Sequence, residues 1–300
     1  MRVELSELLS FRGLVVRAQS LRLKNGRGST LAGSHAGPFL GRGMSFAESR
    51  PYLPGDDWRT VDWRATARTG RPFTKCYEAE HERPTWLVID QGESMHFGSQ
   101  GTFKSIQAAR AAAWFGWLGA QTQDRVGSVI VRDTGGLMLP AERARRGVLR
   151  LLHALVEAPT ECADRDAAQT VQAGLLSLNP RLRGGDRVVV VSDFHALSAA
   201  STDLRSPFLD VLAQIGRQTE LILVHVFDAL EKTPPPPGHY PVTVGDQMVW
   251  LDLTREAARQ AWHLQFFERH ATLRDFCARH RARLFDLPTE ASVAEVLGRA

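Results

Sequence analysis

Two aspartates in this 300-residue chain stand where carboxylates do chemistry. Asp90 follows the run Trp86 to Ile89, and Asp193 follows Val188 to Val191. Short apolar, β-branched runs of this kind read as buried strands, and in an open α/β sheet ligands bind beyond the strands' carboxyl ends. The loop Asp90-Gln91-Gly92-Glu93-Ser94 sets a carboxylate and a hydroxyl four positions apart. Oxygen donors in that arrangement suit Mg²⁺ or Mn²⁺, hard cations that keep several waters while one or two carboxylates hold them. An aspartate at a strand end also commonly caps a turn or helix. The second aspartate brings the ligand-binding reading level with that one.

The same loop, read as Gly92-Glu93-Ser94-Met95-His96, approaches the Gly-x-Ser-x-Gly nucleophile elbow of α/β-hydrolases. Ser94 would be the nucleophile, Asp193 the acid, and His225 or His239 the base. His96 fills the fifth position, where the tight turn needs a small residue, so a serine hydrolase stands as the alternative function. A phosphatase of the Asp-x-Asp kind is disfavoured, because Gly92 stands where its second carboxylate belongs. His81, His153, His263, His270 and His280 lack metal-ligand spacing and read as surface or packing residues.

Positioning these groups requires a sheet with helices on both faces. From Pro84 onward β-branched runs alternate with helical stretches, the pattern of a doubly wound, mostly parallel α/β sheet. Strands are expected at 86–89, 125–132, 188–191, 221–227 and 284–285, with a hairpin partner at 137–139 turned by Asp133-Thr134-Gly135-Gly136. Helices are expected at 102–121, 141–156, 167–178, 209–217 and 254–281. Pro234 to Pro237 form a stiff connector before a hairpin around Gly245-Asp246. A last helix closes the chain.

The composition, 43% hydrophobic and 23% charged, is that of a globular protein, which excludes a disordered, collagen-like or coiled-coil chain. The longest uncharged apolar run, Ala111 to Ala120, is too short to cross a bilayer, and the first residues show no secretory pattern; a cytoplasmic location is expected. Cys76, Cys162 and Cys277 are odd in number and far apart, which fits a reducing compartment. Residues 1–83 carry 14 basic groups against 9 acidic ones, and the remainder carries 23 against 24, so the positive charge lies at the front. Without a recognition helix, zinc finger or RNA-binding aromatic motif, a basic surface alone gives little support to nucleic-acid binding.

The chain thus reads as an N-terminal α+β extension over residues 1–83 and an α/β domain over 84–300. The extension opens with a helix whose apolar face is expected to hold Leu5, Leu8, Leu9 and Val16. A glycine-rich stretch follows, then the dense segment Tyr52-Leu53-Pro54-Gly55-Asp56-Asp57-Trp58-Arg59-Thr60-Val61-Asp62-Trp63-Arg64-Ala65-Thr66-Ala67-Arg68. Trp and Arg are hot-spot residues of interfaces. The preferred reading is nevertheless internal: Asp56, Asp57 and Asp62 pair with Arg59, Arg64 and Arg68, while Trp58 and Trp63 anchor the segment by packing.

From Gly43 to Phe97 the residues Phe46-Ala47-Glu48, Arg50, Tyr52 to Asp57, Arg59, Val61-Asp62-Trp63, Ala67-Arg68 and Asp90 to Ser94 resemble the bacterial "domain of unknown function 58" family, short soluble branch. Ser192-Asp193-Phe194 and Asp228-Ala229-Leu230-Glu231 extend the likeness over most of the chain from about residue 33. The resemblance implies a von Willebrand factor A-like domain behind the signature residues Tyr52, Pro54, Gly55, Asp56, Asp57, Arg59, Asp62, Trp63 and Arg68. It also implies a non-enzymatic adaptor that works with a MoxR-type AAA+ ATPase in assembling or activating a client protein. A von Willebrand A domain binds partners through a metal-ion-dependent adhesion site of the form Asp-x-Ser-x-Ser with a distant Thr and a distant Asp. Asp90 and Ser94 match the first loop, Asp193 the distant Asp, and Thr170 is the candidate for the Thr. Gly92 departs from the pattern because it supplies no hydroxyl, and Thr170 lacks the usual glycine neighbour. The expectation is a degenerate site with weak or absent Mg²⁺ (or Mn²⁺) binding.

Overall fold

A computed structural model describes residues 3–24, 44–53, 56–79, 83–133, 135–157, 170–197, 206–244 and 247–298. The chain forms two units, Met1–Gly26 together with Arg83–Ala300, and Arg27–Glu82. Helix α1 (Leu5–Lys24) opens the larger unit. It buries Leu8, Phe11 and Val15, while Leu9 and Val16 of the expected face are exposed. The spacing three, then four, selects the buried stripe, and a residue one position away is rotated about 100° off it.

In the smaller unit, strands β1 (Met44–Pro51) and β2 (Phe73–Ala79) pair antiparallel, a hairpin absent from the sequence expectations. Between them lie a 3-10 turn, Trp58–Thr60, and helix α2 (Trp63–Thr69). Gly70 ends α2 at φ 69°, a left-handed cap that glycine adopts without strain.

The larger unit is built on β3 (Thr85–Asp90), β4 (Arg125–Val131), β5 (Leu137–Arg143), β6 (Arg187–Ser192) and β7 (Glu220–Phe227). Besides α1, its helices before β7 are α3 (Lys104–Gln121), α4 (Ala144–Val156), α5 (Val171–Leu178) and α6 (Pro207–Gly216). After β7 come a short helix α7 (Ala229–Lys232), the hairpin β8 (His239–Val244) and β9 (Gln247–Asp252), then α8 (Glu256–His280), β10 (Arg283–Pro288) and α9 (Val293–Gly298). The six-stranded sheet runs β10-β7-β6-β3-β4-β5, parallel throughout except for the antiparallel edge strand β5. This bears out a mixed α/β fold with a mostly parallel central sheet.

Every residue of β3 and β6 is buried, as expected of central parallel strands covered on both faces. Trp86, Val88, Val188, Val190, Leu221 and Leu223 share a core with Leu175, Leu212, Leu273 and Phe276 of α5, α6 and α8. Helix α3 is buried along most of its length, and the indole of Trp117 donates to the Leu8 carbonyl of α1 at 3.1 Å. Strand β5 runs to Arg143 because Glu142 and Arg143 still pair with Val126 and Arg125, so α4 starts at Ala144 rather than Ala141. The expected start of α5 at 167 falls outside the described residues, as does the Gly245-Asp246 turn. Among the described residues no helix is long and apolar enough to cross a membrane.

Candidate functional site

Sheet order reverses at β3: the chain goes on to β4 on one side, and β6 lies on the other. The crevice beyond the carboxyl ends of β3 and β6 is therefore the switch point where this fold class binds ligands, and both Asp90 and Asp193 stand there. Parallel registers carry one polar row across the sheet. Asp286 of β10 pairs with His225 of β7, His225 pairs with Ser192 of β6, and the next step reaches Asp90 of β3. Ser192 Oγ donates to Asp90 Oδ2 at 2.6 Å and accepts from the Phe194 N–H at 2.9 Å. Phe194 adopts φ 53°, unusual for a bulky side chain, and is held there by that bond and by burial against Phe208.

A third group, missed in the sequence, decides the electrostatics. Lys104, the first residue of α3, is only 2% exposed. Its ammonium donates to Asp193 Oδ2 at 2.8 Å and to Glu231 Oε1 at 2.8 Å. Burial opposes its charge, but the two carboxylates outweigh burial and raise its pKa. Burial likewise pushes Asp193 up, and the Lys104 charge and hydrogen bond more than reverse it; the His195 N–H and the Ser94 hydroxyl add to that. Among the described residues no ammonium donates to Asp90. Burial, then the negative charge of Asp193, raises its pKa to about 6. Asp228, fully buried at the end of β7, accepts from the Ser99 N–H at 2.9 Å and Thr289 Oγ1 at 2.8 Å, tying the loop after β3 to the turn after β10.

The donor set does not fit a Mg²⁺ ion. An ammonium already rests on Asp193, Ser192 donates to Asp90, and Gly92 brings no side-chain oxygen. A Cβ at position 92 would lie 3.2 Å from Asp90 Oδ1 and 3.3 Å from Asp133 Oδ1, so a serine there would crowd two carboxylates. Thr170 is exposed at the N-terminus of α5, where its hydroxyl accepts from the Ala173 N–H at 3.2 Å. The structure thus brings Asp90, Ser94 and Asp193 into one cluster, and among the described residues no hydrogen bond joins Thr170 to it.

The hydrolase arrangement is not assembled among the described residues. Ser94 lies in a 3-10 turn, Glu93–Met95, well ahead of α3, and not at the sharp strand-to-helix turn an elbow requires. Its hydroxyl meets Asp193 directly. His225 is enclosed beside Asp286 and Phe227, and His239 faces Asp252 at 3.7 Å in the β8–β9 hairpin.

The signature segment corrects the expected pairings. Asp56 bonds the Arg50 guanidinium at 2.7 Å, and Arg50 and the Leu53 N–H hold its carboxyl below the usual range. The Tyr52 hydroxyl donates to the Asp56 carbonyl at 3.0 Å. Asp57 caps the 3-10 turn through the Arg59 N–H, and Asp62 caps α2 through the Arg64 and Ala65 N–H groups while accepting from Ser49 Oγ. These aspartates therefore start helical turns, where Asp is a preferred cap, and do not pair with the guanidinium groups of Arg59, Arg64 and Arg68. Trp58 and Trp63, expected as packing anchors, are 67% and 68% exposed, and Arg59 lies over the Trp58 ring at 5.9 Å. Arg64 and Arg68 are exposed with them. Pro54 and Gly55 lie outside the described residues.

Comparison with known proteins gives relatives without a defined activity. Uncharacterized proteins of Mycobacterium bovis and Mycobacterium tuberculosis are 33% identical over 179 residues, 60% of this chain and 56% of theirs. The chain thus spans just over half the length of the curated relatives it matches. Among solved structures, the conserved hypothetical protein BatB of Bacteroides thetaiotaomicron is 10% identical with a TM-score of 0.41, covering 72% of this chain and 96% of that one. An aerotolerance-related membrane protein of Bacteroides fragilis is 8% identical with a TM-score of 0.40, covering 72% and 95%. Likenesses this distant carry no argument. The model "Protein of unknown function DUF58" matches residues 48–272, from β1 through the signature segment and the Asp90–Asp193 crevice into α8, and the chain therefore belongs to that family.

Proposed function

We propose that the chain is a non-enzymatic interaction module of the cytoplasm. In this reading it is a von Willebrand factor A-like domain in which the Lys104 ammonium does the work of the adhesion-site cation, and it acts beside a MoxR-type AAA+ ATPase in assembling or activating other proteins. The ATPase and the von Willebrand likeness come from the family resemblance. The observation that carries an interaction role is the exposure of Trp58 and Trp63 among Arg59, Arg64 and Arg68, with the aspartates of the same segment engaged in its internal caps. Large aromatics interleaved with Arg in solvent are the composition of an interface and fit an acidic, partly apolar partner face.

The test is affinity purification of the tagged protein from its native lysate in Mg²⁺, beside the Trp58→Ala/Trp63→Ala double variant. Recovery of a AAA+ ATPase with the wild type and its loss with the variant is the expected result. No ATPase with the wild type would overturn the adaptor reading, and equal recovery with both would remove the Trp-Arg surface from it.

A further inference from the structure

On the β7–β10 side of the sheet, His225, His270 and Asp286 converge. Each offers a ligand atom, and these atoms all lie within 4.8 Å of one another. His225 is completely buried, and neither ring nitrogen makes a hydrogen bond. Asp286 Oδ1 lies 3.5 Å from Nδ1, at the outer limit of hydrogen-bonding distance. Around the imidazole stand the rings of Phe194, Phe227 and Phe266, with centroids 6.2, 5.2 and 5.6 Å away. A buried polar group left in this state is costly, and native folds rarely leave both nitrogens of a histidine so.

We propose that His225, His270 and Asp286 form a site for a borderline transition dication, Zn²⁺ by the chemistry of its ligands. Two imidazoles and one carboxylate are a ligand set zinc accepts, with a fourth position left for water. The spacing suits it. At Zn–N and Zn–O distances of about 2.0–2.2 Å, tetrahedral neighbours stand roughly 3.3–3.5 Å apart. His225 and Asp286 already have that separation. His270 Nε2 is 2.8 Å from Asp286 Oδ2, a hydrogen bond that opens by about half an ångström when a metal replaces its proton.

The elements make the site rigid on one side and open on the other. His225 and Asp286 are registered neighbours on parallel strands, and His270 comes from α8, which packs over them through Phe266 and Leu273. Asp286 is 45% exposed, so the free position faces solvent. Arg269 faces His195 at 3.5 Å and the Phe266 ring. Cys277, farther along α8, is buried and is not among the groups that converge here. The inference is independent of the docking role of the Trp-Arg surface.

The experiment titrates the metal-free full-length chain with Co²⁺, whose visible absorption reports four- or five-coordinate binding, and then displaces it with Zn²⁺. His225→Ala would open the core, so the variants are at the rim: His270→Ala and Asp286→Asn, with His263→Ala, exposed on the same helix, as control. One Co²⁺ per chain, displaced by Zn²⁺, is expected, with affinity lowered at least about tenfold in both rim variants and unchanged in the control. The absence of a d–d band in the wild type, or equal affinity in wild type and rim variants, would overturn the site.

Discussion

Asp90 and Asp193 are chemically identical side chains given opposite behaviour by their neighbours. Asp193 meets an ammonium and stays ionised; at Asp90 burial and then the charge of Asp193 outweigh the hydrogen bonds from Ser192 Oγ and the Gly92 N–H, and its pKa rises to about 6 from an ordinary 3.8. The native state therefore binds more protons than the unfolded state between those values. Stability falls as pH rises through that window, and above it the whole penalty is present, roughly 2–3 kcal/mol for a shift of this size. Asp90→Asn keeps an acceptor for the Gly92 N–H and offers an amide to Ser192 Oγ, without the charge. Urea unfolding is expected to find the variant more stable than wild type by roughly 2–3 kcal/mol at pH 7.5 and little different at pH 4. Equal stabilities at pH 7.5 would mean that solvent reaches the carboxylate. Both aspartates were legible in the sequence because a buried β-branched run ending in a carboxylate delivers it to the end of the sheet. His270 was not, because the partners that give it meaning, His225 and Asp286, come together only through strand register and the path of α8.

Lys104 shows what an element adds to its residues. A lysine in the first turn of a helix reads as solvated surface and sits at the unfavourable end of the helix dipole. Helix α3, however, is enclosed by the sheet on one side and by α1, α4 and α9 on the other, so its N-terminus is driven into the crevice and Lys104 must find anions there. The available clue was that α3 is apolar nearly all round, which marks a buried helix whose few charges need partners. Lys104→Ala leaves buried Asp193 and half-buried Glu231 without their counter-charge, at a cost of about 3–5 kcal/mol in denaturant unfolding. If the ammonium stands in for a cation, millimolar Mg²⁺ is expected to raise the midpoint of the variant and leave the wild type unchanged. A cost below about 1 kcal/mol would show that Lys104 is dispensable to the two carboxylates. The same dependence on context explains the signature segment: Asp57 and Asp62 each precede a helical turn, a capping pattern visible in the sequence, but the partners expected for them were guanidinium groups. Trp58 and Trp63 were misread because average burial of Trp was applied to a segment that turns them outward.

At the scale of the molecule, the chain leaves the α/β unit after α1 and re-enters it at Arg83, so the signature-bearing unit is an insertion between the first helix and the first strand of the larger sheet. The sequence expectation joined α1 to the signature segment as one extension, since an amphipathic helix gives no sign of where it docks. The contacts place it elsewhere: Arg110 bonds Glu7 at 2.6 Å, and the Trp117 indole reaches the Leu8 carbonyl. Insertions that carry their own hairpin and helix are commonly removable, because closing a loop costs little more as its length changes. Replacing residues 27–82 with a flexible Gly/Ser linker of about 15 residues is therefore expected to leave a cooperatively folded α/β unit that keeps the Trp117–Leu8 contact. Its thermal midpoint should fall within a few degrees of the intact chain, and it should no longer capture the ATPase. Deleting α1 from that protein should lower the midpoint sharply, because it uncovers the apolar side of α3. A linker protein that is unfolded would show instead that the two units form one cooperative whole. A folded one that still captures the ATPase would move the docking surface from the Trp-Arg segment to the larger unit, where the Asp90–Asp193 crevice is the face to mutate next.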